Sequence, residues 1–172
     1  MKNIFLIEEF KFYEKTHFYT IRDENKADSE TDLFIKRFFE ENASGFQNDY
    51  YDDLTLILEW IRQIGKRGMK ICSLRHENDA KALPPDKILP ADLLYLGRNR
   101  GKLRLYCIPL PPGVIILCGG GLKTSQKVQE SPDLIAHFRL ANQIAKKITE
   151  ALISQEITIE RGKLQGLMEI WI

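Results

Sequence analysis

The stretch that decides the fold is Lys102-Leu-Arg-Leu-Tyr-Cys-Ile-Pro-Leu-Pro-Pro-Gly-Val-Ile-Ile-Leu-Cys-Gly-Gly-Gly-Leu-Lys-Thr-Ser-Gln-Lys127. It reads as two strands joined by a Pro/Gly turn, followed by a glycine triplet and a basic segment. The odd positions from 103 to 107 are apolar, whereas the even positions carry Lys102, Arg104 and Tyr106. Successive side chains of a strand point to opposite faces, so we expect one face to pack on a core and the other to present cations and a phenol. Residues 114–118 are apolar throughout, which is typical of a strand covered on both faces.

The rest of the chain predicts helices and strands that support this hairpin or extend it. Helical spacing of apolar residues predicts helices over residues 31–41, 51–64 and 132–154, the first capped by Ser29 or Thr31 and the last by Ser131 before a proline. Aromatic and β-branched runs predict the strands, which we place at 2–7, 10–21 (one or two strands), 69–74, 93–96, 157–160 and 167–172. Residues 82–90 contain too many prolines for a central strand or a helix. We expect one domain over 1–156, with 157–172 as a β extension packed on it.

Composition is ordinary for a soluble globular protein. The chain has 172 residues, 44% hydrophobic and 28% charged, enough for a sizeable core. No apolar run is long enough to span a bilayer, and the apolar stretch at the N-terminus is too short for a signal peptide. The three cysteines form no CxxC pair and their number is odd. We therefore expect a cytoplasmic protein whose cysteines are small core residues.

Charge is distributed unevenly along the chain. Residues 23–59 hold eleven acids and three bases, a net charge of −8, whereas residues 62–127 hold thirteen bases and four acids, a net charge of +9. Segments of opposite sign indicate one surface for a polyanion and another solvated by acids. The alternative, that the two segments neutralise each other in the fold, stays open.

Nucleotide motifs and metal sites find little support. A phosphate-binding loop needs a glycine directly before Lys123 and another five residues earlier, where this chain has Leu122 and Leu117. The residues 119–121 either approach a phosphate through their amides or mark a strand end where another backbone packs close, and we favour the second interpretation. The three histidines are too far apart in sequence to form a recognisable ligand set, so we predict no metal.

The best signal for a site is a set of basic residues around the hairpin. Its members, which we expect to converge on one surface, are Arg98, Arg100, Lys102, Arg104, Tyr106, Lys123 and Lys127. An arginine side chain binds a phosphate through two N–H hydrogen-bond donors, and an aromatic ring can stack on an unpaired base. RNA cleavage by attack of a 2′-OH needs cations at the phosphorane and groups that transfer protons. The alternative is a solvated cationic strand face.

The order of these elements resembles the RelE/ParE toxin superfamily, particularly its HigB-like branch. The similarity covers roughly residues 93–148: the arginine-led strand, the apolar strand, the segment Leu122-Lys-Thr-Ser-Gln-Lys127, and a helix after it, with two helices before the hairpin. Where the branch often has His-Gly-Phe before its lysines, this chain has Gly120-Gly-Leu122. The chain is also longer than a typical toxin at both ends.

The resemblance implies a small α+β fold, in which an antiparallel sheet packs with two N-terminal helices and a C-terminal helix and is extended here by strands at both ends. It also implies a toxin that cleaves ribosome-bound mRNA without cofactor or metal, and a cognate antitoxin. Arg104, Tyr106 and Lys123 match catalytic positions; we assign Arg98, Arg100, Lys102 and Lys127 to RNA binding. Two alternatives stay open: a non-catalytic relative that binds a protein or nucleic acid, with a homodimer through its C-terminal strands, and a small-molecule enzyme using the glycine triplet.

Overall fold

The structure, a computed structural model, describes residues 2–43, 49–97 and 101–172. Within these ranges lie nine strands and three α-helices: β1 (Ile4–Phe12), β2 (His17–Asp23), α1 (Glu30–Ala43), α2 (Asp49–Arg67), β3 (Cys72–Glu77), β4 (Ala80–Ile88), β5 (Leu103–Leu110), β6 (Val114–Leu122), α3 (Pro132–Ile153), β7 (Ile157–Glu160), β8 (Lys163–Gly166) and β9 (Glu169–Trp171). Three short 3₁₀ segments cover Met69–Ile71, Ala91–Gly97 and Val128–Glu130. None of the helices in the described ranges is long and apolar enough to cross a membrane.

Seven strands form one sheet, in the order β3-β4-β5-β6-β2-β1-β9. All neighbouring strands are antiparallel except β2 and β6, which run parallel. Strands β7 and β8 pair separately as a hairpin. The predicted α+β class is confirmed, with two helices before the β5–β6 hairpin and one after it. The strands at both chain ends join the same region of the sheet, because β9 pairs with β1.

The β5–β6 hairpin separates two hydrophobic cores. Leu103, Leu105 and Cys107 pack with the apolar sides of α1 and α2, whereas Tyr106 and Ile108 pack with α3. The alternation seen in the sequence is therefore correct. The expectation that the even face of β5 is open is wrong, because α3 covers it: Tyr106 is 0% exposed and Arg104 is 7% exposed.

The glycine triplet lies inside β6 and allows the hairpin to close. Gly120 sits so close to β5 that a Cβ there would overlap the carbonyl oxygen of Arg104. Register between β5 and β6 shifts between Leu105 and Cys107, next to this contact. The interpretation of the glycines as a point of close backbone packing is confirmed, although they lie within the strand and not at its end.

Three local predictions are wrong. The proline-rich segment forms strand β4; Pro84 and Pro85 are tolerated because pairing of β4 with β5 ends at Leu83, so no ladder bond to β5 needs their missing N–H groups. Residues 93–96 belong to the 3₁₀ segment Ala91–Gly97 and pair with no strand. The strand predicted at 69–74 begins only at Cys72, after another 3₁₀ turn.

The C-terminal hairpin is fixed to the main sheet through β2. The backbone N–H of Leu164 donates a hydrogen bond to the Tyr19 hydroxyl at 3.0 Å, and His17 Nδ1 lies 2.6 Å from the carbonyl oxygen of Gly162. Ile157 and Leu164 are buried in the core on the α3 side. This hairpin therefore extends the core that α3 forms with the sheet.

Gly120→Ala should destabilise the fold strongly, because the added methyl group meets backbone that no rotamer change can move. We expect a loss of about 3 kcal/mol or more in the free energy of unfolding, at or above the usual range for overpacking. Urea denaturation followed by circular dichroism measures it. The matched control is Gly97→Ala, whose Cβ would meet only the Cδ1 tip of Ile88 at 2.9 Å and should cost less than about 1 kcal/mol. Equal midpoints for both variants would contradict this account of the hairpin.

Candidate nucleic-acid interface

A groove of about 270 Å³ opens where the β3–β4 turn, the loop after β6 and helix α3 meet. Its lining is polar apart from Val128 and one aromatic ring, and comprises His76, Glu77, Asn78, Lys123, Gln126, Lys127, Val128, Gln129 and Phe138. The groove therefore collects cations, carboxamides, an acid and an aromatic side chain at one end of the sheet.

Helix α3 fixes the turn that forms one wall of the groove. The Asn142 side-chain oxygen accepts hydrogen bonds from the backbone N–H groups of Asp79 and Ala80, at 2.8 and 3.0 Å. Asn78 takes a positive φ of 63°, a conformation that asparagine tolerates in tight turns. Glu77 lies directly opposite Ala80 and so shares the face of the sheet that packs toward α3.

Ser131 organises the opposite wall. Its hydroxyl oxygen accepts hydrogen bonds from the backbone N–H groups of Thr124 and Ser125, and its hydroxyl donates to the carbonyl oxygen of Lys127. Ser131 occupies the N-cap position of α3 as predicted, but its side chain binds the loop and makes no capping bond to the helix. The loop carrying Lys123 and Lys127 is thereby tied to the start of α3.

The predicted site residues divide into four groups. Lys123 and Lys127 line the groove, as the prediction of a basic surface requires. Arg104 and Tyr106 are buried, with the Tyr106 ring packed edge-on against Phe138 at 6.0 Å between ring centroids. Lys102 is exposed, and its backbone N–H donates to the carboxylate of Asp53 at 2.6 Å. The remaining two predicted residues, Arg98 and Arg100, lie outside the described residues.

Arg104 bonds to the backbone at the point where β4 leaves β5. Its Nη1 donates to the carbonyl oxygens of Leu103 and Gly101, at 2.8 and 3.2 Å. Burial lowers the pKa of Arg104, and the charge of Arg75 lowers it further, while Glu77 opposes both. Arg104 therefore stabilises the sheet locally and contributes positive charge beside the groove.

Tyr106 is a buried donor without a hydrogen bond. Its hydroxyl oxygen has no partner among the described residues, and no part of its side chain reaches solvent. Burial raises the pKa of Tyr106, and the nearby charge of Glu77 raises it further. The phenol consequently stays protonated over the physiological range, which does not favour a role in exchanging protons with RNA in the groove.

Glu77 is the residue that sequence reasoning missed. Burial raises the pKa of its carboxyl group, an effect that Lys123, Arg104 and Arg75 oppose and that Asp86 reinforces. Across the described part of the chain, no hydrogen bond or ion pair engages this carboxylate. A glutamate at the end of a short strand carries no local signature; only the pairing of β3 with β4 brings Glu77 to the lysines.

His76 adds an imidazole to the same wall. The Nζ atom of Lys81 lies 2.7 Å from His76 Nδ1, so the ammonium group donates and the ring nitrogen accepts. Nε2 of His76 is 3.2 Å from the same ammonium. His76 lines the groove beside this contact.

Other nucleophiles and metal ligands are not assembled in the described ranges. No group of three or more His, Cys, Asp or Glu side chains there can hold a metal ion. All three cysteines are free and buried, as predicted, and burial raises the pKa of Cys72 to about 12. Their thiols are therefore protonated core groups.

Comparison with known proteins gives no further guide: no family model, no curated protein and no solved structure matches this chain.

Proposed function

We propose that the groove binds single-stranded RNA and cleaves it by attack of a 2′-OH on the adjacent phosphate. One observation carries the proposal: two lysines and an unpaired, partly buried glutamate line the same small groove beside an aromatic ring. A half-buried acid with a raised pKa among cations is a typical arrangement for general acid–base chemistry. The volume suits a nucleotide or a short segment, not a duplex.

Each wall has a distinct part in binding. The ammonium groups of Lys123 and Lys127 attract phosphates, and the Phe138 ring offers a surface on which a base can stack. The carboxamides of Asn78, Gln126 and Gln129 can bond to the edges of an unpaired base. Arg104 strengthens the positive field from beneath the surface.

Cleavage requires one base and one acid. The Glu77 carboxylate takes the proton of the 2′-OH while the 2′-oxygen bonds to phosphorus, and the ammonium group of Lys123 stabilises the charge on the phosphorane. The bond from phosphorus to the 5′-oxygen then breaks, and Lys123 protonates this leaving group. The products are a 2′,3′-cyclic phosphate and a free 5′-OH, so atoms and charge balance without a cofactor.

The cellular role we propose is that of a toxin in a toxin–antitoxin pair, acting on ribosome-bound mRNA. Its support is the resemblance of residues 93–148 to the HigB-like branch, together with the two helices before the hairpin and one after it. Induced expression should arrest growth, and an acidic antitoxin encoded beside the gene should relieve the arrest. If cells keep growing after induction and their mRNA stays intact, the proposed toxin role is contradicted.

A second candidate is a non-catalytic protein that binds RNA through the same groove. It is favoured by the burial of Arg104 and Tyr106, which keeps two of the three predicted catalytic side chains away from a ligand in the groove. Both candidates share the lysines, and they differ in whether the RNA is cut.

Lys123→Ala should weaken RNA binding and reduce cleavage of a single-stranded oligonucleotide by roughly 10²-fold, because it removes a phosphate contact and the proposed acid. The salt dependence of binding should fall by about 0.7 in log–log slope, the effect of one contact to single-stranded nucleic acid. Fluorescence anisotropy and gel analysis of 5′-labelled RNA measure both.

Lys147→Ala is the matched control for Lys123→Ala. It removes the same charge from an exposed position in the second half of α3, away from the groove. Binding and cleavage should match the wild type. RNA binding that survives Lys123→Ala with an unchanged salt slope would exclude the groove as the binding site, whereas binding without any cleavage would select the second candidate.

Glu77→Gln should abolish the rise of cleavage rate with pH that the wild type shows as its carboxyl group loses a proton. Because the pKa of Glu77 is raised, the cleavage rate of the wild type should rise at a higher pH than the ordinary pKa of a glutamate would give. Pre-steady-state cleavage should fall by about 10²-fold or more at the optimum, with RNA affinity retained.

Stability provides an independent check on Glu77. A carboxyl group whose pKa is raised in the fold stabilises the folded state at low pH, and that contribution is lost as pH rises through the folded pKa. Glu77→Gln should therefore be more stable than the wild type near pH 7, with the advantage vanishing in acid. Urea midpoints at pH 4 and pH 7 measure this difference; a less stable variant at pH 7 would contradict the raised pKa.

A further inference from the structure

A second cavity, of about 300 Å³, lies between helix α2, the second half of β4 and the 3₁₀ segment Ala91–Gly97. Its apolar lining includes Leu56, Trp60, Pro84, Ile88, Leu94 and Leu96. The polar part of its wall is the ion pair of Arg75 with Asp86, at 2.8 Å, with Arg75 Nε also donating to the carbonyl oxygen of Pro84. The cavity can therefore accept an apolar group, and its wall offers polar contacts at Arg75 and Asp86.

Exposed hydrophobic side chains continue the apolar surface beyond the cavity. Leu89, Leu94 and Tyr95 are 66, 56 and 55% exposed, and they account for three of the nine large hydrophobic residues that are exposed in the described ranges. All three fall within seven consecutive residues. Such a concentration next to a cavity is typical of an interaction surface. We call these three residues, with the cavity, the 89–95 surface.

Among the described residues, the charges near the 89–95 surface are two ion pairs, Arg67–Asp92 and Arg75–Asp86, and three further lysines. Lys66, Lys70 and Lys87 are exposed, and none of them forms an ion pair with a residue that the structure describes. The backbone N–H of Leu89 donates to the carbonyl oxygen of Ile71, which places Lys70 next to Leu89. Lys66 precedes Arg67, whose guanidinium holds Asp92 of the 3₁₀ segment at 2.6 Å.

We propose that the 89–95 surface binds an acidic segment of a partner protein that inserts one apolar side chain into the cavity. The cavity stands at the lower limit of small-molecule sites, and the exposed residues outside it extend the contact beyond what a small ligand covers. The surplus of lysines sets the sign of the partner's charge. A two-fold dimer would bring two copies of the same surface together, each with its surplus of lysines, and this like charge disfavours a second copy as the occupant.

The test uses Trp60 as a reporter in the full chain. Trp171→Phe leaves Trp60, which lines the cavity and is 1% exposed, as the sole tryptophan of the protein. The probe is a synthetic twelve-residue peptide of glutamate and alanine with leucine and phenylalanine at helical spacing, of length about that of a short helix. Two matched peptides replace glutamate by lysine, or leucine and phenylalanine by serine.

The acidic peptide should change Trp60 emission saturably. The lysine peptide should bind about tenfold more weakly, and the serine peptide should not bind. Leu94→Asp should abolish the response because it places a carboxylate at the cavity mouth, whereas the control Leu167→Asp, at a position of similar exposure elsewhere, should retain it. Both variants should keep the wild-type circular dichroism spectrum and RNA affinity.

Three outcomes would overturn the proposal. The first is absence of any peptide response in a folded protein, and the second is equal binding of the acidic and lysine peptides. The third is a concentration-dependent dimer, seen by light scattering, that Leu94→Asp converts to a monomer; the occupant would then be a second copy. Absence of RNA cleavage would contradict the proposed function but not this proposal, because Leu94 does not line the groove.

Discussion

Helices cover both faces of the β5–β6 hairpin, and this coverage determines where the protein can present chemistry. With α1 and α2 on one side and α3 on the other, side chains in the middle of the hairpin are excluded from water. Side chains of this hairpin reach solvent near its ends, at Lys102 and in the loop that begins at Lys123. The groove lies at such a position, past the last paired residues of β6 and beside the β3–β4 turn. The lysines of the predicted site that line the groove therefore lie at the rim of the sheet.

At that rim, burial affects the protonation of Glu77 as well as the charges around it do. Glu77 has three cations near it and still prefers its proton more than an exposed glutamate does, because desolvation outweighs their attraction. Arg104 donates to the carbonyl oxygens of Leu103 and Gly101, which lie beyond the last residue of β5 that pairs with β4. Beyond Leu83, β4 no longer pairs with β5, which accommodates Pro84 and Pro85, and both prolines line the second cavity.

Much of the framework was predictable from local pattern. The alternation of side chains predicted the β5–β6 hairpin. The apolar stripe that follows Ser131 and a proline predicted α3. Both signals are readable because they arise from residues close in sequence. Strand β4 was missed because prolines argue against a strand unless one knows that its neighbour has moved away. The 3₁₀ segment Ala91–Gly97 was mistaken for a strand because four apolar residues carry no period of their own.

The site was predictable only in part, for a related reason. Lys123 and Lys127 follow an apolar strand directly, so their place at its end could be read from sequence. For Arg104 and Tyr106, the alternation of side chains predicted the correct face of β5. It could not show that helix α3 covers that face. Glu77 depends on the register of β3 against β4, which no short motif encodes.

The position of Arg75 has a consequence for communication between the two cavities. Its guanidinium lines the second cavity and pairs there with Asp86, while its charge lowers the pKa of Glu77 and that of Asp86 raises it. Any occupant that separates Arg75 from Asp86 would alter the proton affinity of Glu77, and by thermodynamic reciprocity the protonation of Glu77 would alter the affinity for that occupant. Arg75 is thus the side chain through which an occupant of the second cavity would act on the carboxyl group of Glu77 in the groove.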